Sequence, residues 1–450
     1  MWAIFFPSAL CFAIFVRVTL YSRGERVEAG LKGLAIPAAV LVALLLWHAA
    51  AAWLLGRFSR SYRPTGALLA GATFAPLLAT LPKVVGVLTS ESYANEYWID
   101  RSVKVELLLG LPALALALQA GATIWLRYGL TWRRAGPMGG ILLVAFALRY
   151  AGMGWGLPFA YQPEETSIYF RWAMEAALRG EWNPHYFQNP SLMIYLLAVE
   201  FLLIFAVCRA LLFGQDPGDL YMVFRGEQDL FYSVGRLNSV VLGAATVFLV
   251  YLIGRRLWGE RAGLVAAALL AVSFLHVRNS QYAVNDVPSA FFLVLSFYYA
   301  VRLAEKGRWR DYLLAGLMAG LAASTKYNAG LVVVSVAAAH WVYHGKAREM
   351  IQWGPLRKLG LSAGAALAGF VLGTPYSVLD YEAFREGFLS QLGLGGAAWS
   401  GQSLAPTASQ ILAGVVHGTG LVASILALLG ILLLVALDRR RGLLLLSFPV

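Results

Sequence analysis

Charge is what this 450-residue sequence has least of. Asp, Glu, Lys and Arg together make up 13% of it, against about 25% in an ordinary soluble domain. With 59% hydrophobic residues and a mean hydropathy of +0.66, that shortage excludes a water-soluble globular chain. Cysteine is nearly missing too. Cys11 and Cys208 both lie in apolar runs, which excludes a disulfide framework and a cysteine-rich metal cluster. Acidic residues are fewer than basic ones, leaving a net charge of +12. This excess does not point to nucleic acid, because Arg and Lys fall in short loops between apolar runs, where they set membrane orientation. Nor is there a soluble domain or a low-complexity tract. The apolar stretch 2–20 lacks preceding basic residues and a small-residue cleavage pattern, and so reads as a retained first helix.

What is present is a series of runs long enough to cross a bilayer. They lie near 2–20, 34–56, 66–88, 104–126, 138–158, 236–254, 261–279, 287–304, 310–326, 328–344, 359–379 and 408–437. Another begins at 443, and we expect the chain to continue past Val450. The expected fold class is an all-α polytopic membrane protein, multi-pass in the cell (plasma) membrane, with its N-terminus cytoplasmic. Basic clusters at Arg57–Arg63, Arg127–Arg134, Arg255–Arg261, Arg302–Arg310, Lys346–Lys358 and Arg439–Arg441 belong on the cytoplasmic side. Loop 21–33 would then lie outside despite Arg23, Arg26 and Lys32. Loop 89–103, with Glu91, Glu96 and Asp100, also falls outside. The run 191–213 could span, but a full crossing would put Arg255 and Arg256 outside. It is therefore expected as a juxtamembrane or re-entrant helix. That leaves 159–235 as one long structured outer loop, with an amphipathic helix near 166–180 ended by Gly180. Gly316 and Gly320 stand at a helix-packing spacing. About four helices in 1–130 form an N-terminal block, and 131–450 a second part.

Three polar clusters share the outer face in this topology. The first is Glu164-Glu165, following Leu148-Arg149-Tyr150 and the turn-rich Gly152 to Pro163. The second runs His276-Val277-Arg278-Asn279-Ser280-Gln281-Tyr282-Ala283-Val284-Asn285-Asp286. The third is Ser324-Thr325-Lys326-Tyr327-Asn328. Charged groups at a bilayer boundary mark function by default. Each cluster also has a plainer reading. Acids favour helix N-termini, Arg278 and Asp286 could form an ordinary ion pair, and Lys326 could reach to the interface. His185 and His276 could bind metal or simply make hydrogen bonds.

The stretch Leu148 to Glu165, the helix Ala173 to Gly180, and Asn183-Pro184 to Phe187 resemble the GT-C superfamily of membrane glycosyltransferases. So do Asn189-Pro190-Ser191-Leu192, Gly235-Arg236-Leu237-Asn238, Tyr251 to Gly259, and the Gly316 to Lys326 helix ending in Thr-Lys. The nearest likeness is to the protein O-mannosyltransferase-like and aminoarabinose-transferase-like branch, over about 138–385. The family's usual Asp-Glu is Glu164-Glu165 here, after Gln162-Pro163, so the carboxylates are kept with one methylene more on the first. The helices before 130 lie outside the resemblance.

The resemblance implies a GT-C-like helix bundle at 131–450 and a reaction on the outer, extracytoplasmic face. A sugar, expected as a hexose with mannose suggested by the family likeness, would pass with inversion from a polyprenyl-phosphate carrier to an acceptor on a protein, glycolipid or polymer. Glu164 would be the catalytic base, with Glu165 and Asp286 orienting it or the acceptor. Lys326 and Arg278 would bind the donor phosphate. Tyr161, His185, Asn189, His276 and Tyr327 complete the candidate substrate-contacting set. Three carboxylates permit a divalent cation, Mg or Mn, without demanding one. The alternative is a transporter or flippase of lipid-linked sugar, for which Lys83, Glu106 and Glu200 in or near apolar runs are the best signs.

Overall fold

The computed structural model describes residues 132–157, 159–211, 228–399 and 420–448, with residues 409, 413, 414 and 416. The four expected spans between 2 and 126, the loops 21–33 and 89–103, and Lys83 and Glu106 lie outside the described residues. Among those described, regular structure is entirely helical, as an all-α polytopic membrane protein requires. The chain divides into two compact units, residues 1–139 with 207–233, and residues 140–206 with 234–450. The first is described at 132–139, 207–211 and 228–233, all helical. The second holds every candidate site residue.

The helices are α1 (Trp132–Ala151), α2 (Arg171–Arg179), α3 (Leu192–Leu211), α4 (Gln228–Trp258), α5 (Glu260–Ala271) and α6 (Phe274–Asn279). Then come α7 (Asp286–Lys306), α8 (Trp309–Thr325), α9 (Val333–His344), α10 (Ala347–Met350), α11 (Trp353–Gly373) and α12 (Tyr376–Leu379). The described part ends with α13 (Tyr381–Trp399), α14 (Leu421–Leu437) and α15 (Arg439–Leu446). Among the described residues, three helical stretches, 231–258, 286–306 and 353–373, are long and apolar enough to cross a membrane.

α7 is the central strut of the second unit. Its Val294, Phe297, Ala300, Val301 and Leu303 bury against Leu249, Ile253 and Leu257 of α4 and against Tyr312, Ala315 and Ala319 of α8. Val336 and Ala339 of α9 and Leu444 of α15 close the cluster. In lipid such packing is driven by close contact and not by escape from water. The α8–α11 seam shows this. A Cβ on Gly316 would collide with the Ser362 carbonyl, and one on Gly320 with the Ala366 carbonyl. The two backbones meet only because the side chains are missing, the packing role expected of that spacing.

Several expected runs are broken: 138–158 leaves the helix after Ala151, 359–379 divides between α11 and α12 at Thr374 and Pro375, and in 408–437 α14 begins only after Gly420. Two further runs are also broken. The run 261–279 divides at Val272 and Ser273 into α5 and α6. The cause is remote: the fully buried Arg149 donates from Nη1 to Ala271 O (3.0 Å) and from Nη2 to Leu270 O (3.2 Å), capping α5 where it stops. The run 328–344 begins as a 3-10 turn, Tyr327–Val332, because Lys326 takes an extended conformation between α8 and that turn. The expected outer loop is described over 159–211 and 228–235. A π-helix, Glu165–Phe170, leads into α2, which ends at Gly180 in the left-handed region (φ 70°) with its amide on Ala176 O. Only glycine enters that conformation without cost.

Candidate active site

Glu164 and Glu165 open the π-helix and have opposite surroundings. Glu165 is fully buried. Arg236 of α4 grips it with two parallel bonds, Nε to Oε1 (2.8 Å) and Nη2 to Oε2 (2.7 Å). The Ala283 amide adds a third at 2.8 Å. Arg236 spends its other terminal nitrogen on the Met153 and Trp155 carbonyls, at 2.7 and 2.9 Å. One buried ion pair thus joins the turn after α1, the π-helix, α4 and the 280–285 loop. Gly235 permits the approach: a Cβ there would meet Leu197 at 2.7 Å and Phe170 at 3.1 Å. Glu164 is exposed, and its carboxylate has no hydrogen bond or ion pair among the described residues.

The other two clusters meet each other. Lys326, at the extended break after α8, donates from Nζ to Asp286 Oδ1 at 2.6 Å, and both side chains remain about two-fifths exposed (40% and 38%). The cation beside Asp286 is Lys326. Arg278 is exposed on α6, and its guanidinium makes no ion pair or hydrogen bond among the described residues. Asn285 ties this corner together, donating to Thr325 O (3.1 Å) and reaching Asn189 Oδ1 at 3.5 Å. Asn189 in turn donates to the Tyr186 hydroxyl (3.2 Å), and the Tyr327 hydroxyl donates to Phe187 O (2.8 Å).

Tyr169, fully buried on the π-helix, joins the clusters electrostatically. Its phenol is raised well above the ordinary tyrosine value, first by burial, then by Glu164, Tyr186 and Asp286. Burial also raises Tyr186, with Glu164 adding to the effect and the Asn189 hydrogen bond opposing it. Glu164, Asp286, Lys326, Tyr169, Tyr186, Asn189 and Tyr327 therefore share one region.

The remaining candidates stand apart from that group. His276 Nδ1 is 2.9 Å from Arg149 Nη2 and belongs to the α5 cap. His185 is exposed, with backbone in the left-handed region (φ 46°), its ring 3.7 Å from Asp380 and 4.0 Å from Glu181. Asp380 also accepts from Asn183 at 2.7 Å, which fastens the segment after α2 to the turn before α13. Tyr161 is exposed and stacks loosely with Trp155 and Phe159, ring centroids 5.7 and 6.4 Å apart. Among the described residues no group of three His, Cys, Asp or Glu is arranged to hold a metal ion. Arg236 and Tyr169 lie in the candidate region, Arg149 and Asp380 anchor segments beside it, and sequence pattern alone assigns none of them a role. For the two arginines a signal exists: each is a cation within or at the end of an apolar helix, which demands a buried partner.

Residues 232–372, which carry Arg236, Asp286 and Lys326, match the family model described as dolichyl-phosphate-mannose-protein mannosyltransferase. Over that stretch the chain is similar to GT-C membrane glycosyltransferases. The chain also aligns with undecaprenyl phosphate-alpha-4-amino-4-deoxy-L-arabinose arabinosyl transferases. The protein of that name from Pseudomonas aeruginosa (strain UCBPP-PA14) is 30% identical over 235 residues, 49% of this chain and 37% of the relative. That of Pseudomonas paraeruginosa (strain DSM 24068 / PA7) is 31% identical over the same shares. An uncharacterized protein of Aquifex aeolicus (strain VF5) is 28% identical over 155 residues, 34% of this chain and 30% of its own. The chain thus spans little more than a third of the length of the curated transferases it matches. No solved structure matches it.

Proposed function

We propose that this chain is an inverting membrane glycosyltransferase that moves a sugar from a polyprenyl-phosphate donor to an acceptor hydroxyl at the extracytoplasmic face. The observation that carries the reading is the contrast between the exposed, unengaged Glu164 and the Lys326–Asp286 pair in the same region. Glu164 takes the proton of the acceptor hydroxyl as its oxygen attacks the anomeric carbon. The bond from that carbon to the phosphate oxygen breaks, and its electron pair leaves with the phosphate. The Lys326 ammonium has three donors, of which Asp286 uses one. The other two face the growing phosphate charge, the interaction that strengthens as the bond breaks. Asp286 aims Lys326, and Glu165 with Arg236 fixes the backbone that presents Glu164. Arg278, exposed on the neighbouring helix, is the second phosphate contact in this reading.

The family description names mannose and the relatives' names 4-amino-4-deoxy-L-arabinose, so the donor is a hexose or an aminopentose on a polyprenyl phosphate. Acceptors are a protein, glycolipid or polymer hydroxyl. The test is release of undecaprenyl phosphate from its mannose, glucose and 4-amino-4-deoxy-arabinose derivatives, by the protein in detergent with a crude membrane acceptor pool. Glu164→Gln is expected to lower turnover by about 10²–10⁴-fold, the usual contribution of a positioned base. Undiminished turnover in that variant would move the base elsewhere. The flippase alternative draws on Glu200 of α3, whose Oε2 is buried without a partner among the described residues. It predicts donor that crosses sealed vesicles intact, with Glu200→Gln as the damaging change.

A further inference from the structure

Tyr169 has a feature the reaction scheme above does not use. The side chain is fully buried, and its hydroxyl proton has no acceptor among the described residues; the Asn285 amide is close enough to act on the phenol oxygen but not in good hydrogen-bonding geometry. A buried, unpaired hydroxyl is costly, and phenylalanine would fill the same space without that cost. A tyrosine is accounted for when a ligand supplies the missing partner. The position narrows the ligand. The π-helix closes turns between residues five apart, so Tyr169 stands one turn on from Glu164. π-Helical turns are frequent at functional sites. The negative charges of Glu164 and Asp286 both act on the phenol and, with burial, keep it protonated; the Asn285 amide opposes them weakly. The hydroxyl is therefore a neutral donor within electrostatic reach of both the carboxylate that meets the acceptor and the carboxylate that aims Lys326. In the reading above, the part of the substrate lying between those two ends is the sugar ring.

We propose that Tyr169 is a specificity-determining residue whose hydroxyl donates a hydrogen bond to a hydroxyl oxygen of the transferred sugar. The inference rests on the glycosyltransferase reading. A sugar hydroxyl suits the place because it can accept from Tyr169 while donating to a neighbouring carboxylate. A phosphate would instead add charge between Glu164 and Asp286.

The test compares full-length wild type with Tyr169→Phe. Without ligand, the thermal midpoint of Tyr169→Phe is expected to equal or exceed that of wild type, because no bond is lost. Its kcat/KM for whichever undecaprenyl-phosphate sugar wild type consumes should fall by about 10–100-fold, the value of one hydrogen bond to a buried site. Binding of sugar-free undecaprenyl phosphate, read as a rise in thermal midpoint, should be the same in both. Equal kcat/KM would overturn the proposal. An equal loss of undecaprenyl phosphate binding would assign the hydroxyl to the phosphate, and a lowered midpoint without ligand would assign it to the fold; either overturns it. If wild type consumes no donor, the enzyme reading fails on its own. Donor-induced stabilisation then still decides: it must be larger in wild type than in Tyr169→Phe.

Discussion

Replacing Glu165 by Gln leaves the Arg236 guanidinium buried with one face of its carboxylate partner gone. Breaking one side of a buried ion pair costs about 3–5 kcal/mol, whereas replacing both sides with apolar groups is often near neutral. Glu165→Gln should therefore lower the folded yield and the thermal midpoint, and Glu165→Leu with Arg236→Met should recover much of both. Size-exclusion profiles with a thermal ramp would show it, and a double variant no better than the single one would contradict it. Glu164→Gln, at an exposed site, should change stability by less than about 0.5 kcal/mol while lowering turnover. Lys326→Met breaks a pair that is two-fifths exposed, so its stability cost should stay below about 1 kcal/mol. Its expected effect is on ligand: undecaprenyl phosphate should bind roughly tenfold more weakly. An unchanged midpoint shift with that lipid would remove Lys326 from the phosphate site.

At the scale of helices, the α8–α11 seam makes the sharpest contrast. Gly320→Ala puts a methyl into the Ala366 carbonyl and should lower the thermal midpoint. Gly364→Ala, where an added Cβ meets nothing within 4 Å, should leave the midpoint level or raise it. A thermal ramp on both variants decides, and equal behaviour would argue against backbone-to-backbone packing. The same comparison shows where helices are legible in sequence. α7 and α8 lie within two residues of the expected 287–304 and 310–326, because charged and glycine residues bound them: Asp286, Lys306 and Gly307 for α7, and Arg308 and Lys326 for α8. The break in 261–279 is not legible, since Val272 and Ser273 carry no breaking signal and the cause, Arg149, is 122 residues away. The site divides the same way. The three polar clusters are visible as local composition, but which acid is spent on Arg236 and which cation meets Asp286 depend on contacts between distant segments.

For the whole molecule, the length of α7 separates two chemistries. Its 21 residues rise roughly 31 Å, about one hydrocarbon core. Asp286 and its lysine stand at one end, and Lys306, Arg308 and Arg310 follow the other. In a chain with Cys11 and Cys208 replaced by alanine, Asn328→Cys and Arg308→Cys should react with an impermeant maleimide from opposite sides of sealed vesicles, Asn328→Cys from the extracytoplasmic side. Labelling from one side would refute the proposed topology. The Glu165–Arg236 pair also has a consequence in time. Its members are 71 residues apart, so a ribosome delivers the glutamate well before the arginine that neutralises it. Until α4 arrives, the segment bearing Glu164 has no clamp, and the nascent chain holds an acid it cannot yet bury. The segment that presents Glu164 is thus fixed only once a later helix has been made.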